Sequence, residues 1–493
     1  MNTPARWHCE WLLPAPGQRP ARRGARLQWN GANLTSWRNR AVDDPVPPRG
    51  LVLPALANAH DHARGFRNAS LGAFGEPLES WLPFLGWMPP MPPYLCAATS
   101  LARSARHGVV NVLVHYTRVQ GGLPYLEEAR EVGRAARDVG VHIGFALALR
   151  DRQSLAYAPD HTVLARLSPA IRDAIRRQLA SPALPVAEQL ALVEEVAAAC
   201  ADYPMTVQYG PTGVQWCSNA LLEGVAQASS DQQRPVHMHL LETRRQRQWA
   251  DHAFPGGIVH HLDQLGLLTP RLTLAHCTWC RPEELALLVE RGVTIAVNTS
   301  SNLLLGSGIA PFEEMQRQGC RVAMGLDGLA LDEDDDAWRE LRLTWALHRG
   351  SEFRPALDAA TLWRFAAVDG RRAVTGEQDG GGVIDDGAPA DLIMLDWDAL
   401  NDDGLWPDHD PWPLILARAS GRHIDKVVAS GRLIVDQGQV LTVDETALTD
   451  ELHRRARHAI DRDSAGIQAW RRTLTTFSRE LEAFYHHQGH CCG

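Results

Sequence analysis

Two histidines, His60 and His62, stand two residues apart in LPALANAHDHARG at the end of an apolar run. Strand side chains alternate faces, so both imidazoles project from one face about 7 Å apart along the chain, close enough to share one metal ion. Such a spacing is weak alone. It gains weight from company: VHMHLLE carries His239 and Glu242, LTLAHC carries His276 and RVAMGLDG carries Asp327, each where an apolar run closes. Neutral imidazoles and a carboxylate around one divalent ion leave a coordination position open, and water bound there can lose a proton near neutral pH. That chemistry is hydrolysis. Glu242, three residues beyond His239, would stand beside the water as proton shuttle, passing a proton to a ring or imine nitrogen and then to a departing amine. Asp327 would bind the metal and receive the proton of the attacking water. His276 would polarise the oxygen or tetrahedral centre as charge develops.

The elements that must position these groups are regular. Apolar, β-branched runs bounded by turn residues occur at 51–59, 109–116, 141–149, 205–210, 235–240, 272–277, 293–298 and 321–326. Between them lie helical periodicities such as EEAREVGRAARDVG, VAEQLALVEEVAAAC and RPEELALLVERG. Strand and helix repeated eight times predict an α/β fold, a (β/α)8 barrel over 51–377 whose chemistry sits at the C-terminal ends of its strands. The flanks, 1–50 and 378–445, carry short alternating runs and Gly-rich turns, including ADLIMLD and KVVASGRLIVDQGQV, and predict one small β-sandwich domain built from both chain ends. Residues 446–493 read as a C-terminal helical extension, one or two Arg-rich amphipathic helices packed on the surface, followed by a tail.

Composition bounds the function. With 493 residues, 45% hydrophobic and 22% charged, the chain can bury a barrel and a smaller unit. A net charge of −9 offers no basic surface for a phosphate backbone, so nucleic acid is not an expected partner. No apolar stretch reaches transmembrane length and the start lacks a signal core, so a cytoplasmic protein without a membrane partner is expected. Nine cysteines, an odd number, suit reduced buried thiols better than a disulfide framework. Lys426, the only lysine, lies outside the eight-strand count, so no strand end can offer a carbamylated lysine to bridge two metals, and a mononuclear centre is favoured.

Other chemistry-bearing residues have plainer readings. His237 precedes His239 by two but lacks the HxxE context and is read as a structural hydrogen-bonding group. Cys277 and Cys280 form CTWC with no second pair nearby, which argues for packed thiols. The acidic run DEDDD at 332–336 is read as a solvated helix start. The tail HHQGHCCG, with His486, His487, His490, Cys491 and Cys492, could capture stray metal but is expected to be disordered.

In this order and at these intervals, NAHDH, HLLET, AHC, NTSSNLLLGSGIAP and MGLDG resemble the amidohydrolase superfamily, most of all the branch of cytosine deaminase, guanine deaminase, S-adenosylhomocysteine-type deaminases and triazine hydrolases. The resemblance spans roughly residues 45 to 440 and includes GAPADLIML. It implies that His60, His62, His239 and Asp327 are ligands of one divalent metal ion, Zn2+ or Fe2+, that Glu242 and His276 are the catalytic pair, and that the chain could form a homodimer. It implies hydrolytic loss of ammonia, an amine or chloride from an unsaturated nitrogen-bearing carbon, with a small-molecule substrate. The leading expectation is deamination of an amino-substituted N-heterocycle or cyclic amidine. The alternatives are release of an alkylamine or chloride, or ring opening, and more remotely a non-catalytic binding barrel, which a lost ligand or shuttle would mark; none is lost. Where many relatives have a histidine after Gly-Pro at the fourth strand, this chain has Thr212. Gln215 and Trp216 follow, an amide edge and a stacking face for a flat ring or else a loop packed on the rim. Arg64, Trp81, His115 and Tyr116 complete the expected substrate-binding set, with Arg64 an anion or carbonyl contact and His115 either a pocket residue or a buried structural histidine.

Overall fold

The computed structural model describes residues 5–39, 50–72, 74–152, 155, 157–178, 183–328, 333–351, 353, 357–377, 381–405 and 410–489. Asp332, His490, Cys491 and Cys492, singled out in the sequence, lie outside them.

Eight parallel strands form an inner sheet in chain order: Leu56–Asp61, Val109–Tyr116, His142–Leu149, Met205–Pro211, Val236–Leu240, Leu272–His276, Thr294–Val297 and Arg321–Met324. Their residues are buried almost throughout, as strands packed on both faces must be. The ring closes where the backbone amides of Leu326 and Asp327 donate to His60 O at 3.2 and 2.8 Å. Helices follow the strands, each with an apolar face turned inward. Tyr125–Val139 begins after Pro124, buries Ala129, Val132, Ala136 and Val139, and ends at Gly140 with φ 91°. Glu128 on this helix fixes the loop before it: Gln120 N, Gly121 N and Leu123 N donate to its carboxylate at 2.6–3.2 Å, and the Tyr116 hydroxyl does so at 2.6 Å.

Seven of the predicted strands lie where the sequence puts them. The eighth, 51–59, is two strands. Gly50–Pro54 joins an outer sheet, and the chain then turns at Ala55 so that Leu56–Asp61 enters the barrel. A continuous apolar run conceals this break, because both halves are fully buried.

The outer sheet draws on both flanks, in the order Gln439–Val440, Arg432–Asp436, Ile424–Ala429, Leu392–Asp396, Gly50–Pro54, Ala5–Leu12, Arg22–Asn30 and Asn33–Asn39. It curls around a core that includes Leu12, Leu27, Trp29, Leu392, Met394 and Val428, and Trp29 Nε1 donates to Gly431 O across the curl at 2.9 Å.

Two helices end the chain, Glu445–Arg462 and Ser464–Gly489. The second runs through His486–Gly489, where the sequence suggested disorder. The acidic run does start a helix, Ala337–His348, with Asp336 accepting from Trp338 N at 3.1 Å. It is not solvated: Asp335 and Asp336 are buried, and burial pushes the Asp335 carboxyl up to about 7 against the pull of Arg103 at 3.6 Å. The seven described cysteines are free and buried. No helix among the described residues is long and apolar enough to cross a membrane.

Replacing Glu128 by alanine would leave three part-buried loop amides and the buried Tyr116 hydroxyl without their acceptor. A loss of about 2–4 kcal/mol is expected, read as a lower thermal midpoint; an unchanged midpoint would contradict this account of the second strand–helix loop.

Candidate metal centre

His60 and His62 leave the first barrel strand on its inner face, and Asp61 between them turns the other way. There it serves the backbone: Asp61 Oδ1 accepts from His62 N and Ala63 N at 2.6 and 3.0 Å, and Oδ2 from Asn58 Nδ2 and Gly328 N at 2.8 and 3.2 Å. Asn58 Oδ1 in turn accepts from His60 N and Leu326 N. The strand ends are strained. Ala63, Leu241, His276, Cys277 and Asp327 all have φ between 48 and 74°, a region that costs a non-glycine residue about 1 kcal/mol or more. These bonds hold the chain there. Gly325, just before the last strand end, has no room for a side chain, since a Cβ would fall 1.9 Å from Asn298 Oδ1.

The donors converge. His62 Nε2 lies 2.9 Å and His60 Nε2 3.5 Å from Asp327 Oδ1, while Ser301 Oγ donates to Asp327 Oδ2 at 2.6 Å. His62 Nδ1 donates to His115 O at 2.7 Å and His239 Nδ1 to Thr212 O at 2.8 Å. A carbonyl can only accept, so both rings carry a proton on Nδ1 and turn Nε2 toward the centre. Among the described residues neither His60 nitrogen has a hydrogen-bond partner, and burial pushes its imidazole down to about 3. Burial opposes the Asp327 charge, yet the His60 and His62 rings hold that carboxyl well below its usual range. One atom each from His60, His62 and Asp327, and from His60, His239 and His276, lie within 4.8 Å of one another. A buried imidazole beside two oriented imidazoles and a carboxylate is a donor set that fits a divalent cation.

Beside these donors, His276 Nε2 is 3.5 Å from Glu242 Oε2. The opposite edge of the His276 ring meets Asn302 Oδ1 at 3.0 Å and Asn298 Nδ2 at 3.1 Å, which fixes its plane. Glu242 is buried with Oε1 unpartnered, and burial, then Asp327 and Glu79, push its carboxyl well above the ordinary range. Gln246 Oε1 accepts from Glu242 N at 2.8 Å, and Gln246 Nε2 donates to Gln215 Oε1 at 2.8 Å, which locks that amide.

A cavity of about 430 Å3 opens over this floor. Arg64, Trp81, Thr212, Gln215 and Trp216 line it as expected, and the Arg64 guanidinium lies 5.0 Å from the Trp81 ring centre. Two expected contacts do not reach it. Tyr116 points outward to Glu128, because alternate residues of a barrel strand face alternate sides, and His115 is sealed inside, its Nε2 3.2 Å from Gly210 O and its carbonyl holding His62. His237 stacks on His60 with ring centres 4.9 Å apart and has no hydrogen-bond partner among the described residues, so the bonding role expected of it is not seen there. The sequence reading missed Glu79, Tyr157, Gln246, Arg118 and Arg150, and, from the C-terminal helix, Trp470, Leu474, Phe477 and Tyr485. No local motif marks the latter four; only the apolar spacing of that helix signals that it needs a partner.

Comparison with known proteins agrees with this geometry. The chain is 31% identical over 255 residues to a 5-methylthioadenosine/S-adenosylhomocysteine deaminase of Dictyoglomus thermophilum, covering 52% of this chain and 59% of that one. It spans 55–60% of the length of several curated relatives that it matches at 29–31% identity. Among solved structures it is similar to an adenosine deaminase from Xanthomonas campestris with bound zinc (TM-score 0.72, 22% identity, 92% of this chain and 98% of that one). It is also similar to a mutant atrazine chlorohydrolase from Arthrobacter aurescens TC1 complexed with zinc and atraton (TM-score 0.74, 20% identity, 92% and 99%). The model of the amidohydrolase family matches residues 51–434, most of the chain, and the chain belongs to that family.

Proposed function

We propose that this chain is a metal-dependent aminohydrolase that releases ammonia from an amino-substituted N-heterocycle, with an adenine-type ring as the first class to test. The observation that carries this reading is the juxtaposition of a buried acid–imidazole pair, Glu242 and His276, with the donors His62, His239 and Asp327 on one cavity floor and His60 just beneath it. The names of the curated relatives support the deamination, and the zinc in the similar solved structures supports zinc over iron.

His60, His62, His239 and Asp327 would hold the ion. Bound there, it would supply a Lewis acid able to make water nucleophilic near neutral pH. Glu242 does the proton work. Its raised proton affinity suits a group that gives a proton to a ring nitrogen at one stage and to the leaving amine at another. His276, held by Asn298 and Asn302, keeps Nε2 on the cavity side, where a developing negative oxygen can be met. Asp327, with one oxygen toward His60 and His62 and the other occupied by Ser301, stays ionised and can take a proton from the attacking water. Gln215 and the rings of Trp81 and Trp216 suit a flat heterocycle with a hydrogen-bonding edge.

Ammonia release should be measured on adenosine, 5′-methylthioadenosine, guanine and a chlorotriazine that carries both a free amino and an alkylamino group. At least one should yield free ammonia; release of only alkylamine or chloride would replace deamination with the related hydrolysis. Glu242→Gln should keep its metal and lose about 10²–10⁴-fold in turnover; undiminished turnover would remove the shuttle. His62→Ala and His239→Ala should lose most bound metal by elemental analysis. One equivalent retained in both would refute the ligand set.

A further inference from the structure

We propose that the C-terminal helix Ser464–Gly489 is a fixed wall of the substrate cavity, where Trp470, Leu474 and Phe477 select a heterocycle carrying an apolar substituent. The inference rests on the aminohydrolase reading of the same cavity.

Ile467, Trp470, Leu474, Phe477, Leu481 and Phe484 recur at intervals of three and four, a narrow apolar stripe that a helix must bury. It is buried at the barrel mouth. Leu474 and Trp470 pack with Leu78, Trp81 and Phe84; Phe477, Leu481 and Phe484 pack with Val163, Ile171 and Ile175. Leu474, Phe477 and Leu481 are each 1–2% exposed, which marks docking rather than loose apposition. Polar contacts pin the helix along its length. Arg471 lies over the Trp87 ring and Arg245 over Tyr485, Glu480 accepts from Ser168 N at 3.0 Å, and the Tyr485 hydroxyl accepts from Tyr157 N at 3.3 Å.

Within this stripe, Trp470, Leu474 and Phe477 also line the cavity, whereas Leu481 and Phe484 do not. Leu82, Leu155 and Ile175 line it too. The cavity therefore pairs a floor of imidazoles and carboxylates, where the reacting ring must sit, with apolar surface from a different part of the chain. A ligand that fills both has a polar heterocycle at one end and an alkyl or aryl group at the other.

The test uses the zinc-loaded Glu242→Gln chain, which binds without turning over, and calorimetric titration with adenosine, 5′-methylthioadenosine and 5′-butylthioadenosine. Affinity should rise about fourfold per added methylene. Phe477→Ala should flatten that rise while changing adenosine affinity less than about twofold. Trp470→Phe, which keeps the helix docked, should weaken the butylthio probe alone. Leu481→Ala removes a docking contact outside the cavity and should leave the rise intact. A flat series in the parent, no binding of the butylthio probe, a rise that survives Phe477→Ala, or equal losses in Phe477→Ala and Leu481→Ala would each overturn the assignment. S-adenosylhomocysteine serves as the charged control; a preference for it over the butylthio probe that Phe477→Ala leaves untouched would move selectivity to Arg118 and Arg150 and overturn it as well. Failure of the aminohydrolase reading looks different: the unsubstituted Glu242 chain would release no ammonia from any probe while the binding series kept its slope.

Discussion

The barrel closes on the residues that its chemistry would use. Leu326 and Asp327 at the last strand end donate their amides to His60 O at the first, and Asn58 braces both sides of the seam. His60 and Asp327 are thus set relative to each other by backbone hydrogen bonds rather than by the reach of flexible side chains. Any slip in closure would displace a histidine and the carboxylate together. Strained strand ends at Ala63, Leu241, His276, Cys277 and Asp327 belong to the same design, because a chain that simply continued as a helix would carry these side chains away from the axis.

Electrostatics then favours a cation. Six imidazoles, those of His60, His62, His115, His237, His239 and His276, crowd the barrel interior, and burial depresses the proton affinity of His60, His115, His237, His239 and His276. A set of neutral rings beside an ionised Asp327 offers lone pairs and negative charge without the protons that would fill the space. The backbone carbonyls of His115 and Thr212 decide which nitrogen faces the centre, so residues that never touch substrate govern the orientation of those that do.

Much of this was legible in the sequence, and the reason is geometric. A strand of known period ending in His, Asp or Glu has few ways to present that side chain, and the barrel collects all eight strand ends at one face. His60, His62, His239, His276, Glu242 and Asp327 could therefore be found without coordinates. What was hidden follows from the same reasoning. The break at Ala55 lies inside an unbroken apolar run. Tyr116 is one residue out of phase with the cavity-facing set, and His115, although in phase, is covered by the layer above it. The cavity walls from Glu79, Tyr157 and the C-terminal helix depend on long-range packing: Trp470 and Trp81 are far apart in the chain and share one cluster only in space. An amphipathic stripe announces that a helix will be buried but not where.

The central claim, that four side chains from three separate strand ends grip one ion, is tested most directly by anomalous diffraction from crystals of the zinc-loaded chain. The account predicts a single peak per chain, about 2.0–2.2 Å from Nε2 of His60, His62 and His239 and from a carboxylate oxygen of Asp327. Two peaks, or one peak bound by His276 with Asp327 left outside the coordination sphere, would contradict it.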